Sequence, residues 1–196
     1  MRNRTFRLVD GFGERLFPGT RVDEREHINQ NRGTMSTQTA TKSDTVRITR
    51  TFNAPVKAIW EAWTEAGKAR QWWGPNDYTC PVANMDIRVG GKSLMAMEDK
   101  DGKRIWSTAT YSEVEPMRRL VFQDRFSDSQ GNAITPNEAG MPGDWPKDQV
   151  VTVTLDEKNG RTEMDLTHTG FPPEVVDDCT KGWNESCDKL ASSLEK

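Results

Sequence analysis

Residues 172–196 read PPEVVDDCTKGWNESCDKLASSLEK and predict a long C-terminal helix. From Glu174 onward, apolar or small side chains recur every three or four residues, which predicts one stripe along a helix of about six turns. The stripe consists of Val176, Cys179, Trp183, Cys187, Leu190 and Leu194. The opposite face is expected in water and consists of Asp177, Asp178, Lys181, Glu185, Asp188, Lys189 and Glu195. Such a stripe requires a broad apolar surface, which the preceding chain must supply.

The preceding chain has the pattern of an antiparallel sheet. Apolar and polar residues alternate in a first strand from Thr45, and a helical stripe then runs from Val56 to Trp63. A second, short helix is predicted over about 66–72, before Gly74 and Pro75. Six further strands are predicted over residues 79–88, 92–98, 105–115, 118–126, 149–156 and 162–169. The order β-α-α-β-β-β-β-β-β-α predicts an α+β fold, with one long helix lying across an antiparallel meander.

Composition indicates that part of the chain lies outside this domain. The 196 residues suffice for one well-buried domain, yet only 34% are hydrophobic and 29% are charged. Residues 1–44 show no lasting periodicity, and Met35 resembles a natural start followed by a polar run. We therefore expect residues 1–44 to be a disordered or non-native N-terminal extension and residues 45–196 to be the folded domain.

Charge and cysteine content exclude several classes of function. The net charge is −3 and no lysine- or arginine-rich block occurs, so neither nucleic acid nor a membrane surface is an expected partner. No apolar run reaches the roughly 18 residues of a membrane span, and no signal-peptide pattern opens the sequence. The three cysteines include no CxxC pair, which argues against a disulfide framework or a metal site. The expected location is cytoplasmic, and no cofactor is expected.

Several short motifs resemble one protein family. They are residues 50–55 (RTFNAP), 60–64 (WEAWT), 71–75 (QWWGP), 86–91 (DIRVGG), 119–122 (RLVF), 170–171 (GF) and 182–186 (GWNES). In order and spacing they resemble the activator-of-heat-shock-protein-ATPase-like family of the START / Bet v 1-like (SRPBCC) superfamily. The resemblance implies a helix-grip fold, in which a curved antiparallel sheet wraps around the C-terminal helix with an internal cavity between them. Bacterial members of the family are mostly of unknown function, so the name does not by itself imply an activity.

Aromatic residues and methionines outnumber what a seam between sheet and helix needs for packing. As a set they are typical of a large apolar pocket, and methionines make such a wall adaptable. The adjacent Trp72 and Trp73 point in different directions, so one is expected in the core and the other at an opening. The predicted ligand-cavity residues are Trp73, Met95, Met97, Trp106, Tyr111, Phe122, Phe126, Met164, His168, Trp183 and Cys187.

The titratable residues leave alternatives open. Strand alternation places His168 with Met164 and Leu166, where it is either a hydrogen-bonded core histidine or a polar handle, or a general base if the pocket catalyses a reaction. Charged residues on the predicted strands form either one inward ion pair or a solvated face. They are Asp86, Arg88, Glu113, Asp124 and Arg125.

Three hypotheses about function follow from these patterns. The first is non-enzymatic binding of an apolar or aromatic small molecule in the cavity, by a carrier or sensor. The second is a cyclase, dehydratase or hydrolase that uses His168; the absence of GxSxG, HExxH and phosphate-binding glycine motifs weakens it. The third is a co-chaperone-like interaction module with a chaperone as partner, which the family name suggests.

Overall fold

The computed structural model describes residues 44–141, 145–146 and 148–195. The extension predicted for residues 1–44 lies, except for Asp44, outside the described residues. The strands are β1 (Thr45–Phe52), β2 (Tyr78–Met85), β3 (Lys92–Asp99), β4 (Arg104–Glu115), β5 (Arg119–Ser127), β6 (Gln149–Lys158) and β7 (Arg161–Thr169). The helices are α1 (Val56–Thr64), α2 (Ala66–Ala69) and α3 (Val176–Leu194).

The strands form one curved antiparallel sheet in the order β1-β7-β6-β5-β4-β3-β2. Consecutive strands pair from β2 to β7, and β1 then adds to β7 with Val46 opposite His168. This confirms the predicted α+β meander with its C-terminal helix. The adjacency of β1 and β7 brings the two ends of the domain together on one side of the sheet.

Two predicted elements end earlier than expected. Helix α2 stops at Ala69, not at 72, because the N–H groups of Gln71 and Trp72 bond to carbonyls only three residues back, at 3.0 and 3.2 Å. Strand β2 stops at Met85, because residues 86–91 fold into a turn closed by a 2.7 Å bond from the Gly91 N–H to the Arg88 carbonyl. A Cβ at Gly91 would lie 2.2 Å from a backbone oxygen, so only glycine fits this turn.

Helix α3 presents its apolar stripe to the concave face of the sheet. It begins at Val176, two residues later than predicted, and buries Cys187 and Leu190 almost completely. The facing strands contribute a continuous apolar layer, namely Val46, Ile48, Val151, Val153, Met164 and Leu166. Removing a large apolar side chain from this layer is expected to cost about 2–5 kcal/mol.

The charged face of α3 is not wholly in water, contrary to the prediction. Lys189 Nζ donates to the carbonyl oxygens of Gly74 and Tyr78, both at 2.9 Å, and of Pro75 at 3.3 Å. Glu185 Oε2 accepts the Asn76 N–H at 3.1 Å. The segment between α2 and β2 therefore crosses this face, and its unpaired backbone groups recruit the two charged side chains.

None of the helices in the described part of the chain combines the length and the apolar character needed to cross a membrane.

Candidate functional site

One cavity opens on the concave side of strands β2–β5. Its empty volume is about 330 Å³, which includes the open space at the mouth of the cavity. The enclosed part holds only about one or two water molecules, so a larger ligand requires side chains to move. The walls are Trp63, Trp73, Met85, Ser93, Met95, Ser107, Ala109, Tyr111, Leu120, Phe122 and Asp124.

Tryptophans close the helical side of the cavity. Trp63 comes from α1 and Trp73 from the turn after α2, and their rings meet edge to face at 6.0 Å. Trp183 of α3 lies against both, stacked on Trp63 at 6.1 Å and edge-on to Trp73 at 5.7 Å. Each such pair contributes about 0.5–1.5 kcal/mol beyond its buried area. The wall of the cavity is thus held in place by α3, which does not itself line it.

Trp72 and Trp73 have different surroundings. Trp72 is fully buried, and its indole N–H donates to the Ala62 carbonyl at 2.9 Å. Trp73 remains half-buried at the cavity wall. The left-handed backbone of Gly74, at a φ of 99°, turns the chain directly after this pair. Two adjacent residues thus supply one core tryptophan and one cavity tryptophan.

Asp124 is the acidic group of the cavity. On β5 it follows Leu120 and Phe122 in the two-residue alternation that faces inward, opposite Ala109 of β4. Burial raises the pKa of Asp124 to about 6, although the Ser107 hydroxyl and the Arg125 backbone N–H both donate to the carboxylate. No cation in the described part of the chain pairs with it: the neighbouring Arg125 pairs with Asp148 instead. The carboxyl therefore retains acceptor capacity toward the cavity.

Two further polar features lie in the walls. The hydroxyls of Ser93 and Tyr111 share a hydrogen bond of 2.7 Å, and burial raises the pKa of Tyr111 to about 12. Trp63 Nε1 is buried and has no acceptor among the described residues. An unsatisfied buried donor costs roughly 1–3 kcal/mol. The tyrosine is therefore neutral and satisfied, whereas the Trp63 indole is not.

Only some of the predicted cavity residues line this space. Trp73, Met95, Tyr111 and Phe122 do so. Trp106 lies on the opposite face of β4, because the next residue, Ser107, points into the cavity and successive side chains of a strand alternate between faces. There the Arg104 guanidinium lies 5.8 Å from the centre of the Trp106 ring. The remaining predicted residues lie outside the lining set: Met97, Phe126, Met164, His168, Trp183 and Cys187.

His168 belongs to the aromatic core. Its Nδ1 accepts the Trp183 Nε1–H at 3.2 Å, its ring meets Phe171 at 4.5 Å, and its buried Nε2 has no partner among the described residues. Burial lowers the pKa of His168 to about 3, as expected for a desolvated imidazole without an inward carboxylate. The alternative of a core histidine therefore fits the geometry, and the ring is neutral at physiological pH.

Phe126, Met164 and Cys187, three further predicted residues outside the cavity, also pack in the core. Phe126 meets Trp145 at 5.5 Å, which in turn meets Phe171 at 5.3 Å. Met164 and Cys187 are buried, and burial raises the pKa of the Cys187 thiol to about 11. A thiol with so high a pKa is a packing group and not a nucleophile at neutral pH.

The cavity also contains residues that the sequence did not single out for it. They are Trp63, Met85, Ser93, Ser107, Ala109 and Leu120. For Asp124 the sequence predicts only a place in an ion pair or on a solvated face. The alternation Leu120, Phe122, Asp124 was the available signal for its inward position. Other charged candidates form ion pairs with partly exposed side chains. Arg88 pairs with Asp86 at 2.9 Å, and Glu113 pairs with Arg119 at 3.0 Å.

Solved structures share this architecture. A crystal structure of a protein from Chromobacterium violaceum is 25% identical, with a TM-score of 0.65, and the match covers 78% of this chain and 98% of that one. A solution structure of a protein from Arthrobacter aurescens is 23% identical, with a TM-score of 0.66 and coverage of 78% and 87%. The AHSA1 protein from Silicibacter pomeroyi is 22% identical, with a TM-score of 0.62 and coverage of 77% and 97%.

The family comparison agrees with these structures. No curated protein matches the chain. The family model described as Activator of Hsp90 ATPase homolog 1-like protein, however, matches residues 53–195, which span α1 through the end of α3. The chain therefore belongs to the Activator of Hsp90 ATPase homolog 1-like protein family.

Proposed function

We propose that this protein binds a small apolar or aromatic molecule in the cavity, as a non-enzymatic carrier or sensor. The observation that carries the proposal is the cavity itself, a concave site with an aromatic and methionine wall and few polar groups. Small-molecule sites are built in this way. Met85 and Met95 give the wall adaptable side chains, which suits a site that must widen to admit its ligand.

The enzymatic alternative, which relied on His168, has less support. That imidazole is fully enclosed by core residues and does not line the cavity. With a pKa of about 3, it is neutral and has no tendency to take up a proton at physiological pH. A binding role needs no acid or base of this kind, so it accounts for the site with fewer requirements.

The co-chaperone alternative requires an exposed partner surface. Among the described residues, the large apolar side chains that are exposed are Val89, Met117 and Val150, which come from three different segments. Single exposed apolar residues are normal on soluble domains and do not mark an interface. The cavity is therefore the stronger functional feature of this chain.

The proposal is tested by titrating ¹⁵N-labelled protein with benzyl alcohol and following the indole N–H signals by NMR. We expect saturable shifts of the Trp63 and Trp73 signals, because both rings line the cavity. Trp106 provides an internal control on the opposite face of the sheet. Equal shifts of all three signals, or none that saturates, would contradict binding in the cavity.

A further inference from the structure

We propose that the preferred ligand carries a basic group, and that its cation pairs with Asp124 while its apolar part lies against Trp63 and Trp73. This inference rests on the proposed function and narrows it from apolar molecules in general to amines and related cations. It follows from the one charged side chain among the lining residues.

Among the described residues, no cationic side chain pairs with the Asp124 carboxylate. The residue paired with Asp124 on β4 is Ala109, and the residue paired with it on β6 is Gln149, which is buried and uncharged. The two donors that reach it, the Ser107 hydroxyl and the Arg125 N–H, are both neutral. An ionised carboxylate in an apolar site is costly unless it is paired, and an ammonium group entering the cavity would supply the missing charge.

The walls around the carboxylate also favour a cation. Four aromatic residues line the same space: Trp63, Trp73, Tyr111 and Phe122. The faces of aromatic rings attract cations, most strongly those of tryptophan, and this attraction grows as the site loses water. Aromatic faces combined with one carboxylate select a cationic ligand over a neutral one of the same shape.

No other charge in the cavity opposes this selection. Among the described residues that line the cavity, the titratable ones are Asp124 and Tyr111. The Asp86 carboxylate lies outside the lining but acts on Tyr111, and its charge has the same sign as that of Asp124. The phenol stays neutral, since the pKa of Tyr111 lies near 12. The adjoining groups from α1, β4 and β6 are Trp63, Ser107 and Gln149, none of which is charged. Protonation of Asp124, whose pKa is about 6, is thus the one titration in the walls that would weaken the attraction.

The test compares benzylamine with benzyl alcohol, two probes of nearly equal shape, in the NMR titration of Trp63 and Trp73. At neutral pH we expect benzylamine to bind at least about ten-fold more tightly. In Asp124→Asn this ratio should fall to about one, with the affinity for benzyl alcohol changed by less than about two-fold. Glu113→Gln, which removes an equal charge from a residue on the other face, should keep the full preference.

The outcomes separate this inference from the proposed function. If benzyl alcohol binds as tightly as benzylamine, or if Asp124→Asn keeps the preference, the cation is not recognised by Asp124 and only this inference falls. If neither probe moves the Trp63 and Trp73 signals, the proposed function falls as well. Should Asp124→Asn fail to fold, the unmodified protein at about pH 4.5 serves instead. Protonated Asp124 should then abolish the preference for benzylamine, and its persistence there would overturn the inference.

Discussion

Trp183 Nε1 donates a hydrogen bond to His168 Nδ1 at 3.2 Å, which ties the middle of α3 to the last strand of the sheet. Because Nδ1 accepts, the proton of the neutral imidazole lies on Nε2, which has no partner in the described part of the chain. Trp183 in turn packs against the two tryptophans that close the cavity. The wall of the site and the buried histidine therefore share one support.

This relationship predicts an acid-sensitive contribution to stability. The folded pKa of His168 is about 3, against an ordinary value of 6.5. Between these values the unfolded chain binds a proton that the folded chain does not, so the free energy of unfolding falls as the pH drops through this window. Above the unfolded pKa of 6.5, this pH-dependent loss of stability is absent. Between about pH 7 and pH 5, the free energy of unfolding of the unmodified protein should fall by about 2 kcal/mol more than that of the His168→Leu variant. Urea unfolding at the two pH values measures this difference.

The comparison with His168→Leu isolates the histidine, because Asp124 acts in the opposite direction below pH 6. At neutral pH the leucine variant should itself be less stable by about 1–3 kcal/mol, since the Trp183 indole N–H loses its acceptor. Parallel pH dependence of the two proteins would mean that His168 takes up a proton as readily in the folded chain as in the unfolded one, which would contradict its burial.

Asp124→Asn should stabilise the protein at neutral pH. Burial raises the pKa of Asp124 from 3.8 to about 6, so the folded chain holds a proton more tightly than the unfolded chain between these values. The resulting penalty is fully present above pH 6 and absent below 3.8. Because the residue retains partial exposure, we expect a gain of about 1–3 kcal/mol at pH 7 that disappears by about pH 4. A gain that persists at low pH would point to packing as its cause.

Lys189→Met tests the contact between α3 and the segment that carries the cavity tryptophan. The ammonium group supplies hydrogen bonds to three carbonyl oxygens of residues 74–78, and its removal leaves them without that donor. We expect a loss of about 2–3 kcal/mol in the free energy of unfolding. Lys181→Met is the matched control: it lies on the same helix with its side chain exposed, and it should cost less than about 0.5 kcal/mol. Equal losses of stability in the two variants would mean that water replaces the Lys189 hydrogen bonds at little cost.

The sequence determined much of the fold through periodicity. The stripe containing Cys187 and Leu190 follows the helical repeat, and the face containing Met164, Leu166 and His168 follows strand alternation. Periodicity assigns a residue to a face but does not say which element covers that face. Lys189 was therefore expected in water, whereas the segment after α2 crosses it.

The same limit applied to the cavity. Trp106 and Tyr111 lie five residues apart on β4 and so point to opposite faces, which the sequence already implied. The register that brings Asp124 beside Ala109, and the tertiary packing that places Trp63 over β3 and β4, depend on long-range contacts that no local pattern encodes. The sequence therefore predicted four of the residues that line the cavity, namely Trp73, Met95, Tyr111 and Phe122, but not its full set of walls.

The most direct test of a ligand-binding cavity is the benzyl alcohol titration repeated with Met95→Trp, which places a larger side chain in the space. We predict that the shifts of Trp63 and Trp73 vanish in this variant, which stays folded and loses about 1–2 kcal/mol of its free energy of unfolding, because neighbouring side chains must move to admit the larger ring. Val150→Trp, which adds the same side chain at an exposed position, should bind like the unmodified protein. A protein that binds no benzyl alcohol, and that loses about 3 kcal/mol or more through Met95→Trp, would have a packed core at this position, which would contradict the cavity.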